Sequence, residues 1–327
     1  MNRVAAQRVS IITADGLALV TRQIGPEVAD LTVILLHGLL GDRDSWRCQT
    51  SHLTSRHPDI RVIAYDQRGH GRSGRGNTLG NTLGQLARPR HRHRHDDTHR
   101  PHRARRPFHG AMTILQYLQH HQSRNTNRIT GVGLIATAAA DITRHGLGRL
   151  LATPFAGSAC ALAAHIPASV GAIRTSAVRA TEPIWRLGTK KAPTLAALIN
   201  APQLPILAGF LASISHFDGT AAFRTLSRTP TLVMCGTVDR VTPPHHSAAI
   251  AAAVSAAEPV DVPGAGHMLM LDRPDVVNDR LDALLERARR ELAPATTHPG
   301  STSRPCGRPA ATSSLTAYDR LQTAVAQ

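Results

Sequence analysis

An imidazole and a carboxylate, each just past an apolar run, are the side chains of this sequence best placed to move a proton. Thr231-Leu232-Val233-Met234-Cys235 runs into Gly236-Thr237-Val238-Asp239, and Val260-Asp261-Val262-Pro263 runs into Gly264-Ala265-Gly266-His267. Two further polar, glycine-bearing segments follow apolar runs: Leu36-His37-Gly38, and Asp66-Gln67-Arg68-Gly69-His70-Gly71-Arg72-Ser73. Taken singly, the Asp239 and His267 segments could each be an ordinary strand-end turn. Histidine with a carboxylate suits general acid–base chemistry, and covalent acyl transfer by that route also needs a nucleophile. No Gly-x-Ser-x-Gly occurs in the chain, and the nearest string, Gly71-Arg72-Ser73-Gly74, is one residue short.

In their order and spacing these segments resemble the landmarks of the α/β-hydrolase superfamily, in which nucleophile, acid and histidine follow one another along the chain. The resemblance implies a mostly parallel sheet carrying a helical cap, and a Ser-Asp-His mechanism that needs no metal or organic cofactor. It implies that Asp239 orients His267, and that the backbone amide of Leu39 is one half of an oxyanion hole. The other half, following the nucleophile, falls at His109. The nucleophile position itself is occupied by Phe108, which cannot attack an acyl carbon. Asp66 and Arg68 are expected to brace their loop, and its glycines let the chain turn tightly there. Sheets with the same Asp and His also host dehalogenases, epoxide hydrolases and cofactor-free peroxidases. The substrate is therefore read only as a small-molecule, lipophilic ester, to suit an apolar helical cap.

The stretch before the nucleophile position is the anomaly. Residues 88–109 hold eight Arg, six His and three Pro. A central parallel strand is covered on both faces and reads as a near-continuous aliphatic run, and this segment cannot be buried without stranding charge. Reading each codon one base later offers an explanation. Arg followed by a codon beginning in C then permits Val, Ala, Asp or Gly, and Phe followed by His permits Ser. In that frame residues 103–110 can read Val-Leu-Val-Gly-His-Ser-Met-Gly, a strand running into a serine elbow. Two compensating frameshifts, near Ala87 and near Gly110, account for a disrupted nucleophile strand within an otherwise in-frame chain. The alternative is a basic insertion loop, and with it two other functions: a catalytically dead pseudo-hydrolase that binds rather than cleaves, or a nucleic-acid-associated protein.

Charge weighs against the last of these. The net charge is +16, of which 88–109 carries +6 and the remainder +10. Charge spread in this way lacks the one-sided footprint of a nucleic-acid-binding face, and aromatic residues for stacking on bases are few, at 3% of the chain. Cys48, Cys160, Cys235 and Cys306 fit no metal-ligand spacing and imply no disulfide framework. No run approaches the roughly 18 apolar residues of a membrane span, and the start of the chain lacks the apolar stretch of a signal peptide. A cytoplasmic protein is the expectation; its oligomeric state has no sequence signal.

The remaining segments supply the positioning elements. Residues 9–13 and 17–21 flank Ala14-Asp15-Gly16 as a hairpin, and Leu31–Leu36 and Arg61–Tyr65 read as strands. Residues 1–137 form the first part of the core, 138–228 an all-helical cap, and 229–292 the rest of the core. Val277, Leu281, Leu284, Leu285, Ala288 and Leu292 recur at helical spacing. Rich in Thr, Pro, Ser, Gly and Ala, residues 293–327 read as a disordered tail.

Overall fold

A computed structural model describes residues 7–12, 16–39, 41–74, 110–120, 129–144, 214, 216–292 and 321–326. The Arg/His-rich segment 88–109, with Phe108 and His109, lies outside the described residues, as does the expected cap from 145 to 213.

The chain builds an eight-stranded sheet. In chain order its strands are β1 (Gln7–Ile12), β2 (Ala18–Ile24), β3 (Leu31–Leu36), β4 (Arg61–Tyr65), β5 (Ile129–Ile135), β6 (Thr231–Gly236), β7 (Ala257–Val262) and β8 (Leu321–Ala326). They lie across the sheet as β1-β2-β4-β3-β8-β5-β6-β7. Strands β1 and β2 form an antiparallel hairpin, β2 pairs antiparallel with β4, and every other neighbouring pair is parallel. This is the mostly parallel sheet that the sequence leads one to expect.

Helices cover both faces, which is why the inner strands are apolar on successive residues and not on alternate ones. Leu31, Val33, Leu35, Leu232 and Met234 pack to one side. There they meet α1 (Arg47–Arg56), α5 (Leu269–Asp272) and α6 (Pro274–Leu292). Leu36, Val132, Leu134 and Val233 pack to the other side, against α2 (Ala111–His120), α3 (Phe223–Leu226) and α4 (Pro244–Ala253). The α6 stripe of Val277, Leu281, Leu284, Leu285 and Ala288 is buried throughout, at the spacing that puts one face of a helix against a sheet. A capping box opens the turn before α1: the Asp42 carboxylate accepts from the Asp44 amide, and the Ser45 hydroxyl accepts from the Asp42 amide.

The position between β3 and β5 departs from expectation. By the family resemblance it belongs to the strand that leads into α2, where this sequence carries the Arg- and His-rich segment 88–109. It is occupied instead by β8, from the far end of the chain. Leu31–Leu36 pair in parallel with Leu321–Ala326 on one side, and Ile129–Leu134 pair with Gln322–Ala326 on the other, with one irregularity between Ile129 and Gly131. The expectation of a disordered tail is thus corrected over 321–326; residues 293–320 lie outside the described residues. The physical reason is the demand of the sheet itself. Without a strand here, one backbone row of β3 and one of β5 would be buried without hydrogen-bond partners.

A proline inside a doubly paired strand removes a ladder donor and is tolerated essentially only at sheet edges. Ala324→Pro is therefore expected to lower stability by at least about 2 kcal/mol, read as a lower urea midpoint of the full chain. An unchanged midpoint would mean that 321–326 is not part of the folded sheet.

Candidate active site

Asp239 and His267 lie in the loops that leave the carboxyl ends of the neighbouring strands β6 and β7, the end at which open parallel sheets carry their ligand-binding crevices. Gly236 makes the close approach of these loops possible. A Cβ built on it would fall 2.1 Å from the Ala265 carbonyl oxygen, so any side chain would push the two apart. The loops are then stitched together. The Val238 amide donates to the Ala265 carbonyl at 3.1 Å, and the Gly264 amide to the Thr237 hydroxyl at 2.9 Å.

Within this frame the His267 Nδ1 donates to Asp239 Oδ2 at 2.9 Å. An ionised carboxylate only accepts, so the ring carries its hydrogen on Nδ1 and turns Nε2 away from the acid. The carboxylate is held at both oxygens. Oδ1 accepts from the amides of Val241 at 2.8 Å and Thr242 at 3.0 Å, and Oδ2 accepts from the Thr242 hydroxyl at 2.9 Å. Burial alone would raise the Asp239 pKa. The charge and hydrogen bond of His267, with the Thr242 donors, outweigh it and hold the acid below the ordinary carboxylate range. The Asp239 side chain is wholly buried, while that of His267 keeps 21% of its surface exposed. The acid is thus sealed and the base reaches the solvent side of the site.

On the other side, the loop after β3 is tied down through a histidine ring. His37 Nδ1 donates to the Gly38 carbonyl at 2.8 Å, and its Nε2 accepts from the Gln67 amide at 2.9 Å. The Gln67 carboxamide reaches back to the His37 carbonyl, and the Thr113 hydroxyl on α2 lies 3.4 Å from its oxygen. Leu39, half-buried, follows directly on this anchored turn. Asp66 braces the neighbouring loop as expected: its carboxylate accepts from the Arg43 and Arg72 amides, at 2.9 and 3.0 Å, and from the Arg43 guanidinium at 3.2 Å. Gly71, at φ +52°, sits where a Cβ would be 2.3 Å from that carboxyl carbon. Gly110, at φ +59°, turns the chain into α2.

Of the residues singled out from sequence, Asp239 and His267 are brought into hydrogen-bond contact, Leu39 ends the anchored turn after β3, and Phe108 and His109 lie outside the described residues. The sequence reading missed Thr242 and Gln67. Thr242 has a local signal, a hydroxyl three residues past the acid and immediately before proline. Gln67 has none, because its partner His37 is 30 residues distant. Among the described residues no group of three or more His, Cys, Asp or Glu could hold a metal ion, and no helix is long and apolar enough to cross a membrane.

Residues 33–280 match the model of the alpha/beta hydrolase family, and the chain belongs to that family. No curated protein matches it. Among solved structures it is similar to a thermophilic esterase from Thermogutta terrifontis, at 20% identity and a TM-score of 0.59, covering 86% of this chain and 99% of that one. It is also similar to an enol-lactonase from Burkholderia xenovorans, at 18% identity and a TM-score of 0.59, over 85% and 100% of the two chains. A third is an esterase from Exiguobacterium antarcticum, at 16% identity and a TM-score of 0.60, over 86% and 100%. At these identities the likeness is one of fold.

Burial makes the two histidines beneath the site a source of acid sensitivity. Desolvation lowers the His37 pKa to about 4 and that of His70 to about 3, from 6.5. Both rings are neutral in the fold, and below pH 6.5 only the unfolded chain takes up their protons. The stability they contribute is complete above pH 6.5. It is lost as the pH falls toward 4 and then 3, by up to about 1.4 kcal/mol per pH unit for each ring. Urea midpoints measured from pH 7 to 4.5 should fall with a slope approaching two protons, and with one proton fewer in His70→Gln. A flat profile over that range would contradict the burial of both rings.

Proposed function

We propose that this chain descends from a serine-type carboxylic-ester hydrolase acting on small lipophilic esters, and that the sequence as it stands has lost the nucleophile. The single observation that carries the reading is the 2.9 Å contact from His267 Nδ1 to Asp239 Oδ2, on adjoining strand-end loops. In the intact reaction a serine at position 108 attacks the acyl carbon. His267 takes the serine proton and passes it to the leaving alkoxide, Asp239 holds the ring, and the backbone amides of Leu39 and of position 109, His109 in the chain as written, receive the oxyanion. Water, activated by His267, then releases the acid. No cofactor or metal has a part in this scheme. Compensating frameshifts near Ala87 and Gly110 supply the history that removed the serine.

A second reading, a folded but catalytically silent member of the family that acts by binding, is favoured by one observation. Strand β8 fills the place between β3 and β5.

The test is repair. One form keeps the chain as written, and another carries the shifted-frame residues over 88–110, among them Arg106→Gly, Pro107→His and Phe108→Ser. Both are offered short-chain chromogenic esters. The repaired chain should hydrolyse them and lose that activity on His267→Ala, and the written chain should turn over roughly 10⁶-fold more slowly, the order of loss when a serine nucleophile is removed. A folded repaired chain that is inert across acyl lengths would sink the esterase reading. A written chain that is active through His267 would sink the loss of the nucleophile.

A further inference from the structure

We infer that Thr242 is a positioning residue for the His267–Asp239 pair: its hydroxyl adds to the hold of the carboxylate on the Nδ1 hydrogen, keeping it directed at the acid. The inference rests on the reading of Asp239 and His267 as the acid–base pair, and it assigns a part to a side chain outside that pair.

Thr242 is buried, with 3% of its surface exposed. Its Oγ1 donates to Asp239 Oδ2 at 2.9 Å and lies 3.2 Å from His267 Nδ1. A hydroxyl has one hydrogen and two lone pairs. With the hydrogen on the carboxylate, Oγ1 can offer the ring only a lone pair, so the nitrogen facing it must itself be protonated. Nδ1–H is then directed at two acceptors, Oδ2 at 2.9 Å and Oγ1 at 3.2 Å. The alternative tautomer, with hydrogen on Nε2, would set a bare ring nitrogen against two oxygens, one of them on a wholly buried carboxylate, a cost expected to exceed that of one lost hydrogen bond.

The local sequence holds the hydroxyl in place. Thr242 precedes Pro243, which keeps its backbone out of the helical region. Branching at Cβ restricts its χ1, and its own amide is committed to Asp239 Oδ1 at 3.0 Å. Backbone and side chain of one residue therefore grip both oxygens of the acid. Pro243 then caps α4 and Pro244 begins it, so the acid loop runs directly into the next helix.

Thr242→Val keeps the shape, the backbone amide and the branch and removes only the hydroxyl; Thr242→Ser restores the hydroxyl and loses the methyl. The measurement is ring nitrogen NMR on the unrepaired chain labelled at histidine, together with the exchange of the His267 Nδ1 hydrogen with water. In the unaltered chain the neutral ring should be the Nδ1–H tautomer, and an Nε2–H ring there would overturn the inference with no variant needed. In Thr242→Val the exchange should quicken about fivefold, the equivalent of one hydrogen bond of about 1 kcal/mol, and Thr242→Ser should return it to the original rate. An equal rate in Thr242→Val and the unaltered chain overturns the role, as does a Thr242→Ser rate no slower than that of Thr242→Val. Because nothing is turned over, an unchanged rate counts against Thr242 even where the repaired chain cleaves esters. A fivefold change upholds it even where that chain is inert.

Discussion

Every strand inside a parallel sheet has two rows of backbone donors and acceptors to satisfy, and no water reaches them when helices cover both faces. The position between β3 and β5 is where this constraint bears hardest here. A missing strand would leave buried groups unpaired on both neighbours, a defect comparable with the whole stability of a typical domain, roughly 5–15 kcal/mol. Leu321–Ala326 removes the defect by pairing along both β3 and β5. The site depends on it indirectly. The turn after β3 that carries His37 and Leu39, and the strands β6 and β7 that lead into the Asp239 and His267 loops, keep their relative places only if the sheet is continuous through β8 and β5.

Filling the slot from a distance carries an entropic handicap. Residues 293–320 separate β8 from α6, whereas a strand placed just before α2 would be joined to it by a tight turn at Gly110, where φ is +59°. Closing the longer loop costs more, though the cost grows only with the logarithm of length. In a chain whose segment before α2 is apolar, that segment should hold the slot and β8 should give way. The buried face of α2, with Ala111, Met112, Ile114, Leu115 and Leu118, packs in the same core as Leu36, Val132 and Leu134 on the strands that flank the slot.

Much of this architecture was legible because its signals are local. The hairpin, the apolar strands, the glycine loops and the α6 stripe from Val277 to Ala288 each follow from residue type and spacing over a few turns. What escaped was non-local. Leu-Gln-Thr-Ala-Val-Ala is a short and weak strand signal in a tail of small residues, and only a vacant pair of neighbours makes a strand of it. Gln67 is a polar residue in a loop until the fold puts it against His37 at 2.9 Å. Thr242 is an unremarked hydroxyl until its Oγ1 meets Asp239 at 2.9 Å and His267 at 3.2 Å.

We propose that the chain keeps the acid, the base and one oxyanion loop and lacks the nucleophile and the strand that would carry it. A fluorophosphonate reports on that claim without reference to any substrate, since it phosphonylates a serine only when a neighbouring base activates it. With the shifted-frame residues in place over 88–110, mass spectrometry of the treated protein should show one adduct, on the peptide bearing Phe108→Ser. The adduct should be absent from the written chain and from the repaired chain carrying His267→Ala. A folded repaired chain that takes no label, or labels equally without His267, would contradict the account.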